Sequence, residues 1–540
     1  MINRHSKISI FCIILLMMLS TTCLSQEKAL NWEELQEHFE CPTWFAEARF
    51  GIWAHWGAQS QPAEGGGWYA RHMYMPDVKN ETWGKNAYSY HCKTYGHPSE
   101  KGFKDVIHVW KTDKLNADSL MLYFKGIGAK YFLIMANHHD HFDNFNSTYH
   151  SWNSVNVGPK RDIVGEFEKA ARKNKMPFGV SSHDDRFMSW WLPAFGHDET
   201  GPYANIPYDG NMTKEDGIGK WWEGLDPADL YGLPPAKRTP EWVKSVQRNW
   251  VERHTELVTK YEVDMLWFDG YGFPYKEYGK ELCTIYYNHR LQNNGKIDAL
   301  VVGKFSNEPS TVKDIECGGA NEILPEVWQG TLTPNSWFYK TDRPLRHNAR
   351  TIIEMLIDMN SKNGNLLLNV ELRPDGTIPE EHKVVLDEVG AWVNLNSEAI
   401  YGSKPWKVYG DNLNSIVQAL KNKKNPSETD LETLKKMKGE KEQFNERTIN
   451  SPLYGHNEVR FTTKGDILYI FVLNPKEGPI RLSTLGLHSK YNSRKIKAVQ
   501  MIGGSGALKF TQDAGALLLH VPSQRPNNQT VVFKTVFEKD

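Results

Sequence analysis

Between about residues 45 and 395, short β-rich apolar runs alternate with stretches whose apolar positions recur at helical spacing. The runs fall at residues 50–56, 130–137, 177–182, 264–269, 299–305, 312–316 and 365–370. Helical patterning follows the second run at 163–173 and precedes the fourth at 241–261. Such alternation predicts a parallel sheet with helices outside it. Seven or eight such units, with no Gly-x-Gly-x-x-Gly turn after an early strand, predict a (β/α)8-like TIM barrel rather than an open nucleotide-binding sheet.

After about residue 405 the pattern changes to period-two alternation, at 457–462, 467–473, 498–501 and 516–521, which predicts a C-terminal β-sandwich. The expected division is therefore a segment 1–25, a barrel domain 26–400 and a sandwich domain 401–540. A charge-dense, aromatic-poor run near 420–446 reads as a solvated insertion in the sandwich. The length of 540 residues fits such a barrel with an appendage.

The first 25 residues carry Arg4 and Lys7, an apolar run from Ile8 to Leu19, and small residues around Cys23 and Ser25. This order predicts a signal peptide and an exported protein, periplasmic or secreted. No later apolar run is long enough to span a bilayer. Loss of Cys12 and Cys23 would leave Cys41, Cys92, Cys283 and Cys317, too scattered for a disulfide framework, although one bridge remains open.

Charge removes one class of function. Lys and Arg number 64 against 65 Asp and Glu, so the basic excess that nucleic-acid binding needs is missing, and no nucleic-acid partner is expected. The chain holds 19 Trp, 23 Tyr and 23 Phe, a surplus that fits either core packing or a cleft for sugars, whose C–H faces lie against flat rings.

In a barrel, chemistry gathers where strands end, so polar residues closing apolar runs are the candidates. Residues 264–270 deliver Asp269 onto the face shared by Met265 and Trp267, although a cap or turn role for Asp269 is also open. The run 131–137 empties into His138, His139, Asp140, His141 and Asp143. Neighbouring strand residues face opposite ways, and His-x-His spacing is missing, so hydrogen-bonding imidazoles are favoured over a metal site. No metal and no cofactor are expected. His55 and Trp56 close the first run, with Trp68 shortly after, and His183 closes the third. Trp53, Trp56, Trp68, Trp152 and Trp267 are the aromatics expected near a sugar-binding rim.

Together these segments resemble glycoside hydrolase family 29, the retaining α-L-fucosidases. The resemblance rests on residues 49–57 (Arg-Phe-Gly-Ile-Trp-Ala-His-Trp-Gly), Trp68-Tyr69, His138-His139-Asp140, residues 151–155 with 158–162, residues 266–270 (Leu-Trp-Phe-Asp-Gly) and residues 364–370. It covers about residues 40–410. It implies a barrel with a C-terminal sandwich and metal-free release of terminal α-L-fucose from an oligosaccharide or glycoconjugate. Asp269 stands at the family's nucleophile position. The segment Asp314-Ile315-Glu316 resembles members in which this Glu is the acid/base, with Glu322 and Glu326 in reserve; such an acid would need a raised pKa. By the same resemblance His55, His138 and His139 bind sugar hydroxyls with Trp68 nearby and His183 as a further contact, and Trp56, Trp267 or Phe268 could receive the sugar methyl. Gly65-Gly66-Gly67 stands where many relatives place an acidic residue, and His141 and Ser182-His183-Asp184-Asp185 are also departures. A related α-L-glycosidase, for example one acting on L-galactosides, and a catalytically weak sugar-binding homologue therefore stay open.

Overall fold

The computed structural model describes residues 29–78, 86–306, 308–341, 343–413, 423, 425–431, 454–506 and 508–538. The predicted signal peptide and most of the 420–446 run lie outside the described residues. No helix among the described residues is long and apolar enough to cross a membrane.

Eight parallel strands close into a barrel in chain order: β1 (Phe50–Ala54), β2 (Phe132–Asn137), β3 (Phe178–Ser182), β4 (Met265–Tyr271), β5 (Leu300–Lys304), β6 (Val312–Ile315), β7 (Trp328–Leu332) and β8 (Gly364–Asn369). The β1–β8 register, with Ile52 opposite Leu368, completes the ring. Strand alternation sorts side chains between two environments. Trp53, Leu133, Met265, Trp267, Leu300, Val302, Val312 and Leu367 fill the barrel interior, whereas Ile52, Ala54, Trp56, Leu266, Phe268 and Leu368 face the surrounding helices.

The sequence pattern did not mark β7, because only Trp328 and Leu332 of its five residues are apolar and both point outward. Its Gln329 points inward, accepting from the Tyr131 hydroxyl at 3.0 Å and donating to Asp314 at 3.0 Å. Among the described residues no helix joins β5 to β6 or β6 to β7, so the helical ring described around the barrel is incomplete there. The principal helices, Ile163–Lys173, Pro240–Lys260, Glu277–Asn294, Ala349–Ser361 and Glu380–Leu395, cover the remaining outer wall. The N-caps of the first, second and fourth are Asp162, Thr239 and Asn348, each accepting from a first-turn backbone N–H.

Eight antiparallel strands follow: β9 (Lys404–Asp411), β10 (Glu458–Lys464), β11 (Ile467–Leu473), β12 (Gly478–Leu482), β13 (Ile496–Met501), β14 (Phe510–Gln512), β15 (Leu517–Val521) and β16 (Val531–Phe537). They form sheets ordered β13-β16-β11-β10-β9 and β12-β15-β14. Val459, Phe461, Ile470, Leu517 and Phe533 fill the space between the sheets. Tyr469, Phe471, Leu473 and Val532 on the other face of the larger sheet join the core of the barrel's helical shell. A buried pair, Arg460 Nε to Asp358 Oδ1 at 2.6 Å, ties sandwich to barrel. Cys41, Cys92, Cys283 and Cys317 are free thiols.

Candidate active site

The C-terminal ends of the barrel strands enclose a cavity of about 510 Å³. β1 presents Trp53 and His55, β4 presents Trp267 and Asp269, and β5 presents Lys304. These residues share the inward phase of their strands, so their convergence follows from period-two geometry. At the β4 end the register with β5 shifts between Phe268 and Tyr271, and Gly270 takes φ +85°. This bulge turns the chain out immediately after Asp269. Glu316 follows β6, where Cys317 enters the left-handed region at φ 53° and donates its backbone N–H to Thr331 Oγ1 at 3.2 Å.

His138 and His139 both line the cavity. β2 ends at Asn137, so the alternation that would have separated two neighbouring residues no longer applies. His183 and Trp68 also line the cavity, and His183 lies 5.1 Å from Trp267 between ring centroids.

Trp56 is a correction. It occupies the outward phase of β1, is fully buried against Trp110 and donates its Nε1–H to the Arg373 carbonyl at 3.0 Å. Phe268 shares the outward environment, and Trp152 is buried with Nε1 donating to Asp226 O at 2.7 Å, away from the cavity wall. Of the reserve carboxyls, Glu326 lies just before β7, at the opposite end of the barrel, and Glu322 is exposed; neither lines the cavity.

The site's electrostatics centre on Lys304, which the sequence reading missed although it closes an apolar run as Asp269 does. Its Nζ lies 2.8 Å from Asp269 Oδ1 and also pairs with Glu316 Oε2. Asp269 Oδ2 lies 3.4 Å from His139 Nε2 and 4.0 Å from Arg186 Nη2. Burial alone would raise the Asp269 carboxyl, but the Lys304 ammonium outweighs it and holds the group well below the usual carboxylate range. Burial would likewise lower Lys304, but Asp269 and Glu316 push it up, so the ammonium stays charged.

The four imidazoles are held neutral, chiefly by burial. His55 and His138 lie well below the usual range, His139 is lowered, and His183 is pushed down to about 3. A neutral ring carries one N–H, and its fixed neighbours select which nitrogen. Gln59 Nε2 donates to His138 Nδ1 at 2.7 Å, and Gln59 Oε1 accepts from the Ala70 backbone at 3.4 Å. His138 therefore offers Nε2–H as a donor. His139 Nδ1 donates to the His183 carbonyl, leaving Nε2 as an acceptor. Nδ1 of both His55 and His183 is buried with no hydrogen-bond partner. A donor at His138 and an acceptor at His139 beside one cavity suit a polyhydroxylated guest.

Ligand nitrogens of His55, His138 and His183 lie within 4.8 Å of one another, close enough for the three rings to be considered for a divalent cation. Gly67 also borders the cavity. A Cβ there would sit 3.1 Å from the Phe338 ring and 4.0 Å from His138, so the ring occupies space that a side chain at 67 would need.

Residues 15–398 match the family described as Alpha-L-fucosidase. The plasma alpha-L-fucosidase of Homo sapiens is 26% identical over 394 residues, covering 71% of this chain and 73% of that protein. A putative alpha-L-fucosidase of Caenorhabditis elegans is 29% identical over 391 residues, covering 70% of each. The crystal structure of Thermotoga maritima alpha-fucosidase superposes with a TM-score of 0.65 at 25% identity, covering 94% of this chain and 99% of that one. The chain belongs to the α-L-fucosidase family and is a glycoside hydrolase that releases fucose.

Proposed function

We propose that this α-L-fucosidase works by double displacement with net retention, Asp269 serving as nucleophile and Glu316 as acid/base. The observation that carries the assignment is the shared ammonium. Asp269 Oδ1 and Glu316 Oε2 both contact Lys304 Nζ, which puts the two oxygens at most roughly 5.6 Å apart, two ordinary hydrogen-bond lengths. Retaining glycosidases need a carboxyl separation of about 5–5.5 Å, whereas inverting ones need about 6.5–9.5 Å to admit water.

In the first step an Asp269 oxygen attacks the anomeric carbon, and the bond to the leaving oxygen breaks as that oxygen takes the proton of Glu316. In the second, Glu316 removes a proton from water, the water oxygen attacks the same carbon, and the Asp269 ester bond breaks. Two inversions restore the α configuration. Asp269 is held ionised, as a nucleophile must be. The imidazoles orient the sugar: a hydroxyl can accept from His138 Nε2–H, and another can donate to His139 Nε2 beside the nucleophile.

Azide rescue tests the two roles. Asp269→Gly with azide is expected to give β-fucosyl azide by one displacement, and Glu316→Ala with azide to give α-fucosyl azide by two. Exchanged anomers would reverse the assignment. The basic, apolar and small-residue order of residues 1–25 supports export; an intact N-terminus on protein recovered from the cytoplasm would contradict it.

A further inference from the structure

Tyr271 is the most exposed large apolar side chain among the described residues, at 82%, and the only one of the exposed set that lines the cavity. Its backbone is fixed while its ring is bare. Tyr271 pairs with Lys304 across β4 and β5, and Gly272 donates to the Lys304 carbonyl at 3.3 Å. Lys304 Nζ stands 5.7 Å from the ring centroid. An aromatic ring left in water beside two catalytic carboxylates has no packing role to account for it.

The side of the cavity matters. Lys304 contacts Asp269 and Glu316 as well as the Tyr271 ring, so the exposed ring stands at the mouth of the cavity beside both carboxyls and outside the buried histidines that would hold the fucose, where the leaving group of an exo-acting enzyme must project. Phe305 and Ser306, which follow Lys304, continue the same wall. We propose that Tyr271 is a stacking platform for the leaving group, and that the preferred leaving group is a pyranose residue of an oligosaccharide, laid with its C–H face on the ring. The inference rests on the roles given to Asp269 and Glu316, since the histidines beside them then hold the fucose and the leaving group lies outward. A backbone-clamped Tyr with two side-chain torsions loses little entropy when a sugar covers it.

The test uses two substrates of the full-length enzyme. α-L-Fucosyl fluoride carries no sugar beyond the fucose, whereas the best hydrolysed member of a panel of fucosyl disaccharides does. Tyr271→Ala is expected to lower kcat/KM for the disaccharide roughly tenfold more than for the fluoride, the scale of one aromatic face contact. Tyr271→Phe, which keeps the ring, is expected to restore most of the loss. Equal effects of Tyr271→Ala on both substrates, or no rescue by Phe, would overturn the platform. Failure of the wild-type enzyme to turn over the fluoride would instead overturn the underlying hydrolytic mechanism, so the two failures are distinguishable.

Discussion

Lys304 Nζ stands 2.8 Å from Asp269 Oδ1, and the same ammonium pairs with Glu316. A single cation thus spans the two carboxyls of the proposed reaction. In a largely buried site its field outweighs the cost of burying Asp269's charge and keeps that carboxylate ionised.

Replacing Lys304 by Met removes the largest influence lowering the Asp269 carboxyl and leaves burial, which raises it. A nucleophile that must be ionised then loses its charge at higher pH. The acidic limb of the kcat/KM profile is therefore expected to move to higher pH, with a loss of roughly 10²–10³ in kcat at its optimum. Full pH profiles of the wild-type and Lys304→Met enzymes measure both, and an unmoved limb would contradict the role given to the ammonium.

Gln59 is a positioning residue that acts through His138. Its amide donates to Nδ1 and thereby places the ring proton on Nε2, facing the sugar. Gln59→Leu is expected to raise KM about tenfold with a smaller change in kcat. Gln59→Glu, an acceptor in the same place, should favour the opposite tautomer and bind more weakly still. Nitrogen-15 NMR of the His138 ring reads the tautomer directly; an unchanged Nε2–H in both variants would remove the argument.

Trp56 separates packing from binding. Buried against Trp110 and bonded to Arg373 O, it supports the barrel wall. Trp56→Ala is expected to cost about 3–5 kcal/mol of stability, visible as a lower Tm, while KM of the protein that remains folded holds its wild-type value. Loss of affinity without loss of stability would return Trp56 to the sugar site.

The mechanism assigns every bond change to Asp269, Glu316 and water. Activity is therefore expected to persist in excess EDTA. Zinc added to the enzyme is expected to compete with substrate by gathering His55, His138 and His183. Abolition of turnover by EDTA, restored by a metal, would contradict the two-carboxylate scheme.

Much of this arrangement was legible because strand phase leaves a trace in the chain. Trp267 and Asp269 share a parity, and an apolar run that ends in a carboxylate marks a barrel rim. The same rule, applied to the first run, separates Trp53 and His55 from Trp56, so Trp56 was misplaced by treating a run's last residues as equivalent. Lys304 shows the opposite error, since a lysine closing a strand resembles ordinary surface charge until the chain closes and brings it against Asp269 and Glu316. β7 escaped notice because its inward residues are Gln329 and Thr331, which satisfy partners from distant segments. β16 was not singled out because Val-Val-Phe-Lys-Thr-Val-Phe lacks clean apolar–polar alternation, its first three residues being buried on both faces. The tautomers of His138 and His139 were illegible, because they depend on Gln59 and on a carbonyl 44 residues away.

The central claim is that Asp269 attacks the sugar and Glu316 serves both steps. Proton NMR of the first-formed product, recorded faster than mutarotation, tests it most directly. The α anomer of L-fucose appearing first is the predicted result; the β anomer appearing first would show a single displacement and contradict the account.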